Sequence, residues 1–391
     1  MLTPEENALL TQVGKGTPCG ELLRRYWMPV CPAAELTQAA PKKRVRLMGE
    51  DLVLFRDGGG RLGLLPEHCP HRHASLYHGF VEADGLRCAY HGWKFDVGGQ
   101  CIEQPFEAAE GGLKTDACRR AYPVRLEAGL IFAYLGPLPA PILPRWEFME
   151  RTDGRRAITV LPLHRCNWLQ AQENSVDPTH TYYLHAHTLM LLGRDRGAQD
   201  YFHRPIEKLD FELCHEPAWT GIRKSRAYGG DRPERELGHP AVFPNILINP
   251  QAGELVIHWR VPVDDRQTRI FWLRFQPSAD GAIVEQAEAD IPVTYIPHPK
   301  KGDGDYDVSD FPAQDLMAWE TQGPVFDRTT ELLGVSDRGI VMWRKLMLEQ
   351  IAEVQAGRDP AGVIRDKHLD RPIELALSKG SARRAMATEE A

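Results

Sequence analysis

Several things are missing from these 391 residues, and each absence excludes a class of protein. No apolar run approaches the ~20 residues that a membrane-crossing helix needs. The opening MLTPEENALL lacks the basic-then-apolar pattern of a secretory leader, so a cytoplasmic location is expected. Basic residues are not in excess: 47 Lys and Arg stand against 54 Asp and Glu, a formal charge of −7, and they are spread along the chain. That gives no electrostatic footprint for a nucleic-acid partner. Cysteine density is far below that of a disulfide-stapled secreted domain, with eight cysteines scattered from Cys19 to Cys214. Only Cys69 and Cys88 stand beside histidines at ligand spacing; Cys19, Cys31, Cys101, Cys118, Cys166 and Cys214 read as small buried residues or idle thiols. Finally, no G-x-G-x-x-G follows a strand, so a dinucleotide site is expected on another chain.

The length suits two cores, since single cores seldom grow past roughly 250 to 300 residues. What organises them is Asn167 to His187, NWLQAQENSVDPTHTYYLHAH, where Asp177, His180 and His185 fall in the order D-x2-H-x4-H, with Asn174 one turn upstream. Two imidazoles and a carboxylate with open positions are the ligand set of a non-heme ferrous centre. NWLQAQEN reads as helix, and Pro178 suits a first helical turn. In a regular α-helix, however, residues five apart lie ~140° apart around the axis, so His180 and His185 require either a wide turn or a helix end between them.

The first part of the chain reads as two short helical pieces, PEENALLTQV and GELLRRYW, followed by β-strands at 44–48, 51–56, 62–65, 86–88, 94–96, 122–126 and 130–135. Two loops between them carry C-P-H-R-H and C-A-Y-H-G-W: a C-x-H, sixteen residues, then a C-x2-H. Two thiolates and two imidazoles can hold zinc tetrahedrally, or a two-iron cluster with cysteines on one iron and histidines on the other. His68, His73 and His78 fit neither box and read as loop or surface residues. Four prolines in GPLPAPILPRW mark a stiff connector. The expected division is 1–140, a linker at 141–155, a second domain at 156–360 and a tail at 361–391.

Beyond the connector, strands are expected at 157–163, 206–214, 220–228, 243–249, 254–263 and 268–276, forming about six or seven antiparallel strands around a helix, with a concave apolar pocket above the metal. Along 254–263, Leu255, Ile257, Trp259 and Val261 share one face and Val256, His258 and Arg260 the other, which predicts one core face. Residues 186–205 read as an ordered loop or lid, 298–312 as a polar loop, and 378 onward as a disordered tail. AQDLMAWETQG and 339–355 read as helices, the latter ending at Gly357. Asp315 is expected to open the first of these. There it would either complement the helix dipole or complete the two-histidine set, with Asp310, Glu320 and Asp327 as other candidates.

To about residue 360 the chain resembles the oxygenase component of a Rieske non-heme iron oxygenase of the phthalate-dioxygenase-like group. The residues that carry the resemblance are LLRRYW, both boxes with the His91-Gly92-Trp93 continuation, NWLQAQENSVDPTHTYYLH, and QDLMAWETQG running to VFDRTTELLGVSD. Respiratory Rieske subunits carry an extra cysteine in each box; Ala74 and Tyr90 stand near those places here, as in the oxygenase branch. The resemblance implies an α+β fold, an N-terminal antiparallel Rieske domain joined to a C-terminal helix-grip domain. It implies a Rieske 2Fe-2S cluster on Cys69, His71, Cys88 and His91, and a mononuclear Fe(II) on His180, His185 and Asp315. Asp177 would link the centres, and Asn174 would be a polar neighbour of the iron. A separate NAD(P)H-dependent flavin or iron-sulfur reductase would supply electrons, and the assembly would be a homotrimer or a multiple of it. The implied reaction uses O2 to hydroxylate an aromatic, carboxylated substrate, with O-demethylation of a methoxylated aromatic acid as the alternative. Arg194, Arg223 and Arg260 are candidates to pair that carboxylate. A Rieske electron carrier would need only the first domain, and a zinc-stabilised binding module would not need the triad.

Overall fold

The computed structural model describes residues 2–107, 117–118, 120–193, 206–229, 234–236, 238, 240–249 and 253–374. The helices Pro4–Thr11 and Pro18–Leu23 begin at Thr3 and Thr17, whose hydroxyls accept from the Glu6 and Gly20 amides. This N-terminal segment ties the two halves together rather than belonging to one. Trp27 Nε1 donates to Pro141 O (2.9 Å), Tyr26 donates to Ala361 O (2.7 Å), and Asn7 donates to Phe326 O (3.1 Å).

Among the described residues the cysteine-histidine half has three small antiparallel sheets: Met28–Pro32 with Leu130–Ala133 and Val124–Glu127; Lys42–Leu47, Glu50–Arg56 and Leu62–Pro66; and Phe80–Glu82, Gly85–Arg87, Lys94–Phe95 and Cys101–Glu103. The turn at Met48 and Gly49 takes positive φ, +47° and +79°, and both amides donate across to the carbonyls of Pro262 and Val263. A hairpin tip thereby hydrogen-bonds to the second half, and the apolar core is shared: the Phe132 and Trp259 rings meet edge-on at 5.6 Å. The connector is packed, not loose, with Trp146 and Phe148 each 1% exposed.

The second half contains a sheet of nine strands among the described residues. In spatial order these are Ile206–Glu216, Trp219–Tyr228, Pro240–Val242, Ile246–Ile248, Leu255–Asp264, Gln267–Pro277, Gly154–Val160 and Val293–Tyr295, with Glu234–Glu236 paired onto Trp219–Tyr228. The expectation of six or seven antiparallel strands is corrected in number and in direction, because Val293–Tyr295 runs parallel to Gly154–Val160. The strand expected at 243–249 is shorter, Ile246–Ile248, and pairs back on Pro240–Val242 through a turn holding Pro244, which has no amide to donate.

The one-faced reading of 254–263 is also corrected. Both faces are buried, since Ile257, Trp259 and Val261 enter the main core while the helix Trp168–Ser175 covers the other face, where Arg260 Nε donates to Ala171 O at 3.0 Å. The amphipathic helix Arg338–Gln355 closes the molecule with Trp343, Met347 and Ile351 inward, and ends at Gly357 with φ +77°. A shallow apolar cleft opens beside Trp27, Trp219, Phe243 and Trp259; Arg260 does not line it. No helix among the described residues is long and apolar enough to cross a membrane. The expected lid lies largely in 194–205, and the tail from 378 on lies wholly outside the described residues.

Candidate metal centres

The helix Trp168–Ser175 starts at Asn167, whose side chain accepts from Leu169 and donates to Thr11 O (2.9 Å) and Asp265 O (2.7 Å), so its N-terminus is anchored from three directions. Its far end is held by Glu173, which is buried and bonded by both Arg328 and Arg344. After Asp177 and Pro178 the chain enters a π-helix, Thr181–His187. This is the wide turn that the spacing demanded: i→i+5 hydrogen bonding brings residues five apart onto one side, and the His180 and His185 rings lie 5.2 Å apart.

Asp315 arrives from the helix Phe311–Glu320. It does not open that helix as expected; Asp310 does, its carboxylate accepting from the Ala313 amide at 2.8 Å, which leaves Asp315 one turn inside and free of any capping duty. Asp315 Oδ1 lies 3.4 Å from His185 Nε2 and 3.9 Å from His180 Nε2. Donor atoms of His180, His185 and Asp315 all fall within 4.8 Å of one another, a set that fits one metal ion with open positions. Asn174 Nδ2 reaches Asp315 Oδ1 at 3.5 Å. The other acidic candidates are committed elsewhere: Glu320 accepts from Tyr306, His298 and the Arg165 amide, and Asp327 turns onto Thr329.

Asp177 serves two neighbours. Oδ1 accepts from the amide and hydroxyl of Thr179, both at 2.7 Å, while Oδ2 sits 3.4 Å from His180 Nδ1. Burial pushes its carboxyl upward, but His180 and Thr179 together hold it well below the ordinary carboxylate range. His185 is pushed below an ordinary imidazole by burial, against the pull of Asp315. The sequence reading missed Gln314, whose Oε1 lies 2.8 Å from His185 Nδ1, and no pattern in the chain singles it out.

The two cysteine-histidine loops are conformational twins. In one, Cys69 O accepts from the His73 amide; in the other, Cys88 O accepts from the Gly92 amide, and the residue closing each turn has positive φ, +59° and +76°. Cys69 and Cys88 are 1% and 3% exposed, whereas His71 and His91 are half-buried with rings 4.5 Å apart. Trp93 stacks on His71 at 4.5 Å. Two thiols inside and two imidazoles at the rim fit a cluster whose irons have different ligands. All eight cysteines are free of disulfides.

Residues 26–122 match the model of the Rieske [2Fe-2S] domain, and 300–376 match the LigXa C-terminal domain like family. The chain is 40% identical over 399 residues to the 5,5'-dehydrodivanillate O-demethylase oxygenase subunit of Sphingobium sp. SYK-6, covering 100% of this chain and 90% of that protein. The chain belongs to the Rieske non-heme iron oxygenases. This oxygenase is also 38% identical to the phenoxybenzoate dioxygenase subunit alpha of Ectopseudomonas oleovorans, over 90% of this chain and 87% of that one. It shares 33% identity with the phthalate 4,5-dioxygenase oxygenase subunit of Pseudomonas putida, over 93% and 89%. Its fold matches the terminal oxygenase of carbazole 1,9a-dioxygenase from Novosphingobium sp. KA1, with TM-score 0.62 at 20% identity, covering 88% and 94% of the two chains. The Rieske oxygenase is thus an α+β enzyme with a [2Fe-2S] cluster and a mononuclear iron as cofactors. It is an oxygenase component, as its relatives' oxygenase subunits are.

Of the three arginines expected to meet substrate, Arg194 lies outside the described residues. Arg223 pairs with Glu212 on the neighbouring strand at 3.2 Å. Arg260 is 2% exposed, no described residue bonds its Nη1, and burial lowers its pKa to about 9 against the pull of Asp315.

Proposed function

We propose that this oxygenase oxidises an aromatic carboxylic acid, and that its reaction is O-demethylation of an aryl methyl ether. The cluster is assigned to Cys69, His71, Cys88 and His91, the iron to His180, His185 and Asp315, and the link between them to Asp177, with Asn174 as a polar neighbour of the iron. The boundaries of the two catalytic units are taken as 1–140 and 156–360, the whole acting in the cytoplasm as a homotrimer or its multiple with an NAD(P)H-dependent reductase. The observation that carries the substrate reading is Arg260, a buried guanidinium bonded by no carboxylate among the described residues, on a strand that runs under the helix bearing Asn174. Burying a charge without a partner is costly, so an anionic group on the substrate is the natural complement.

When bound, the two iron groups supply single electrons and the reduction of dioxygen. The chain's own part is positional. His180, His185 and Asp315 would hold the metal, the ring of Phe311 packs against His185 at 4.7 Å and limits how that imidazole can turn, and Arg260 orients the acid. In balance, aryl methyl ether, O2, two electrons and two protons give phenol, formaldehyde and water. The 40% identity to an O-demethylase subunit over the whole chain favours this; the phthalate and phenoxybenzoate relatives favour ring dihydroxylation as the second reading. Turnover of methoxybenzoates, phthalates and neutral methoxybenzenes with a reconstituted reductase separates them. Formaldehyde release from acids supports the proposal, cis-diol formation supports the second reading, and turnover confined to neutral compounds refutes both.

A further inference from the structure

The two histidines of the iron site differ in what holds their outer nitrogen. His180 Nδ1 faces the Asp177 carboxylate, whereas His185 Nδ1 is 2.8 Å from Gln314 Oε1. Gln314 is fully buried, and its Nε2 donates to Val308 O at 2.9 Å. A carbonyl can only accept, so the amide nitrogen has to face Val308 and the amide oxygen has to face the imidazole. An oxygen there can only accept, which places the proton of neutral His185 on Nδ1. The lone pair is then on Nε2, the atom 3.4 Å from Asp315 Oδ1.

We propose that Gln314 is a positioning residue: clamped between Val308 and His185, its amide fixes the tautomer and ring rotation that present His185 Nε2 to the iron. The inference rests on the reading of His185 as an iron ligand. One helix then supplies both a ligand, Asp315, and the holder of another from the adjacent residue. The Val308 carbonyl belongs to the stretch just before that helix, which is pinned in turn by Tyr306 donating to Glu320 at 2.7 Å. Ligand imidazoles depend on such outer partners, whose loss typically weakens metal binding about 10–100-fold.

The test is the Fe(II) dissociation constant of the full protein with its cluster intact, read together with the EPR spectrum of the nitric oxide adduct of the ferrous site. Gln314→Met keeps the length but removes the acceptor. It should weaken iron about 10–100-fold and alter the nitrosyl signal while the Rieske spectrum stays unchanged. Gln314→Glu, which keeps an acceptor, should recover most of the affinity. Gln314→Asn withdraws the amide by one methylene and should also weaken iron, which gives an independent reading if the Met variant folds poorly. Wild-type affinity and an unchanged nitrosyl signal in either the Met or the Asn variant would overturn the proposal. His185→Ala is the control: if it binds iron as tightly as wild type, the ligand assignment has failed, rather than the role of Gln314.

Discussion

At the scale of single residues, the sequence offered His180, His185 and Asp315, which the fold brings together, but not what surrounds them. Asp315 is the carboxylate that the fold brings to His180 and His185, but not at the helix start expected of it: Asp310 caps that helix, which leaves Asp315 spare. Gln314 could not be read at all, because an uncharged amide becomes informative only when its two partners are seen. Asp177 combines a cap on Thr179 with a contact to His180, so Asp177→Asn separates the two duties. The cap tolerates an amide, so both metals should be retained and the cluster should still reduce, while turnover becomes very slow. Near-normal turnover would leave Asp177 as a cap only. Arg260→Met should raise KM for an aromatic acid, with a loss of about 1.5–3 kcal/mol in kcat/KM and little change for the corresponding neutral ester. Equal losses on both substrates would point to damaged packing under the helix Trp168–Ser175 instead.

At the scale of elements, local periodicity located most helices and strands, and it failed where tertiary packing overrides it. The strand Leu255–Asp264 alternates like a half-buried strand but is covered on both sides, because a helix carrying Ala171 lies on its polar face. The π-helix was legible as a contradiction: two ligands five residues apart cannot share a face of an α-helix. What holds the end of the preceding helix is a buried ion cluster of Glu173, Arg328, Arg344 and Glu331, invisible in sequence because Glu173 is 155 residues from Arg328 and 171 from Arg344. Glu173→Ala leaves two buried guanidinium groups short of a partner and should cost about 3–5 kcal/mol of stability. Burial pushes the Glu173 carboxyl up, but Arg328 and Arg344 outweigh that and hold it below the ordinary 4.5. A depressed folded-state pKa contributes stability that is present above the unfolded value and is lost as pH falls through the folded one. The melting temperature should therefore fall on acidification below about pH 4.5, and Glu173→Gln should flatten that part of the curve; a parallel curve in the variant would contradict it. Gly339 makes a similar point about close approach. A Cβ there would meet Val176 O at 2.4 Å, so Gly339→Ala should push the closing helix off the residue before Asp177 and lower iron occupancy, measured as iron per chain.

At the scale of the whole molecule, two ligand clusters and a proline-rich connector suggested two units, but nothing in the sequence signalled how far their cores fuse. The shared core, the Met48–Gly49 tip bonded to Pro262 and Val263, and the N-terminal straps are long-range contacts with no local signature. The proposed passage of electrons from one chain's cluster to the next chain's iron is tested at this scale. Chains carrying His91→Ala and chains carrying His180→Ala should each be inactive, and co-assembled oligomers should regain part of the activity because some interfaces then pair an intact cluster with an intact iron. Mixed oligomers that form and stay inactive would place transfer within one chain. The central claim, that one chain holds two iron centres on separate ligand sets, is tested most directly by iron content combined with the Rieske EPR signal. Wild type should contain about three irons per chain, and Asp315→Ala about two with the Rieske signal unchanged. An Asp315→Ala protein with three irons, or one that loses the Rieske signal together with its third iron, would contradict the account.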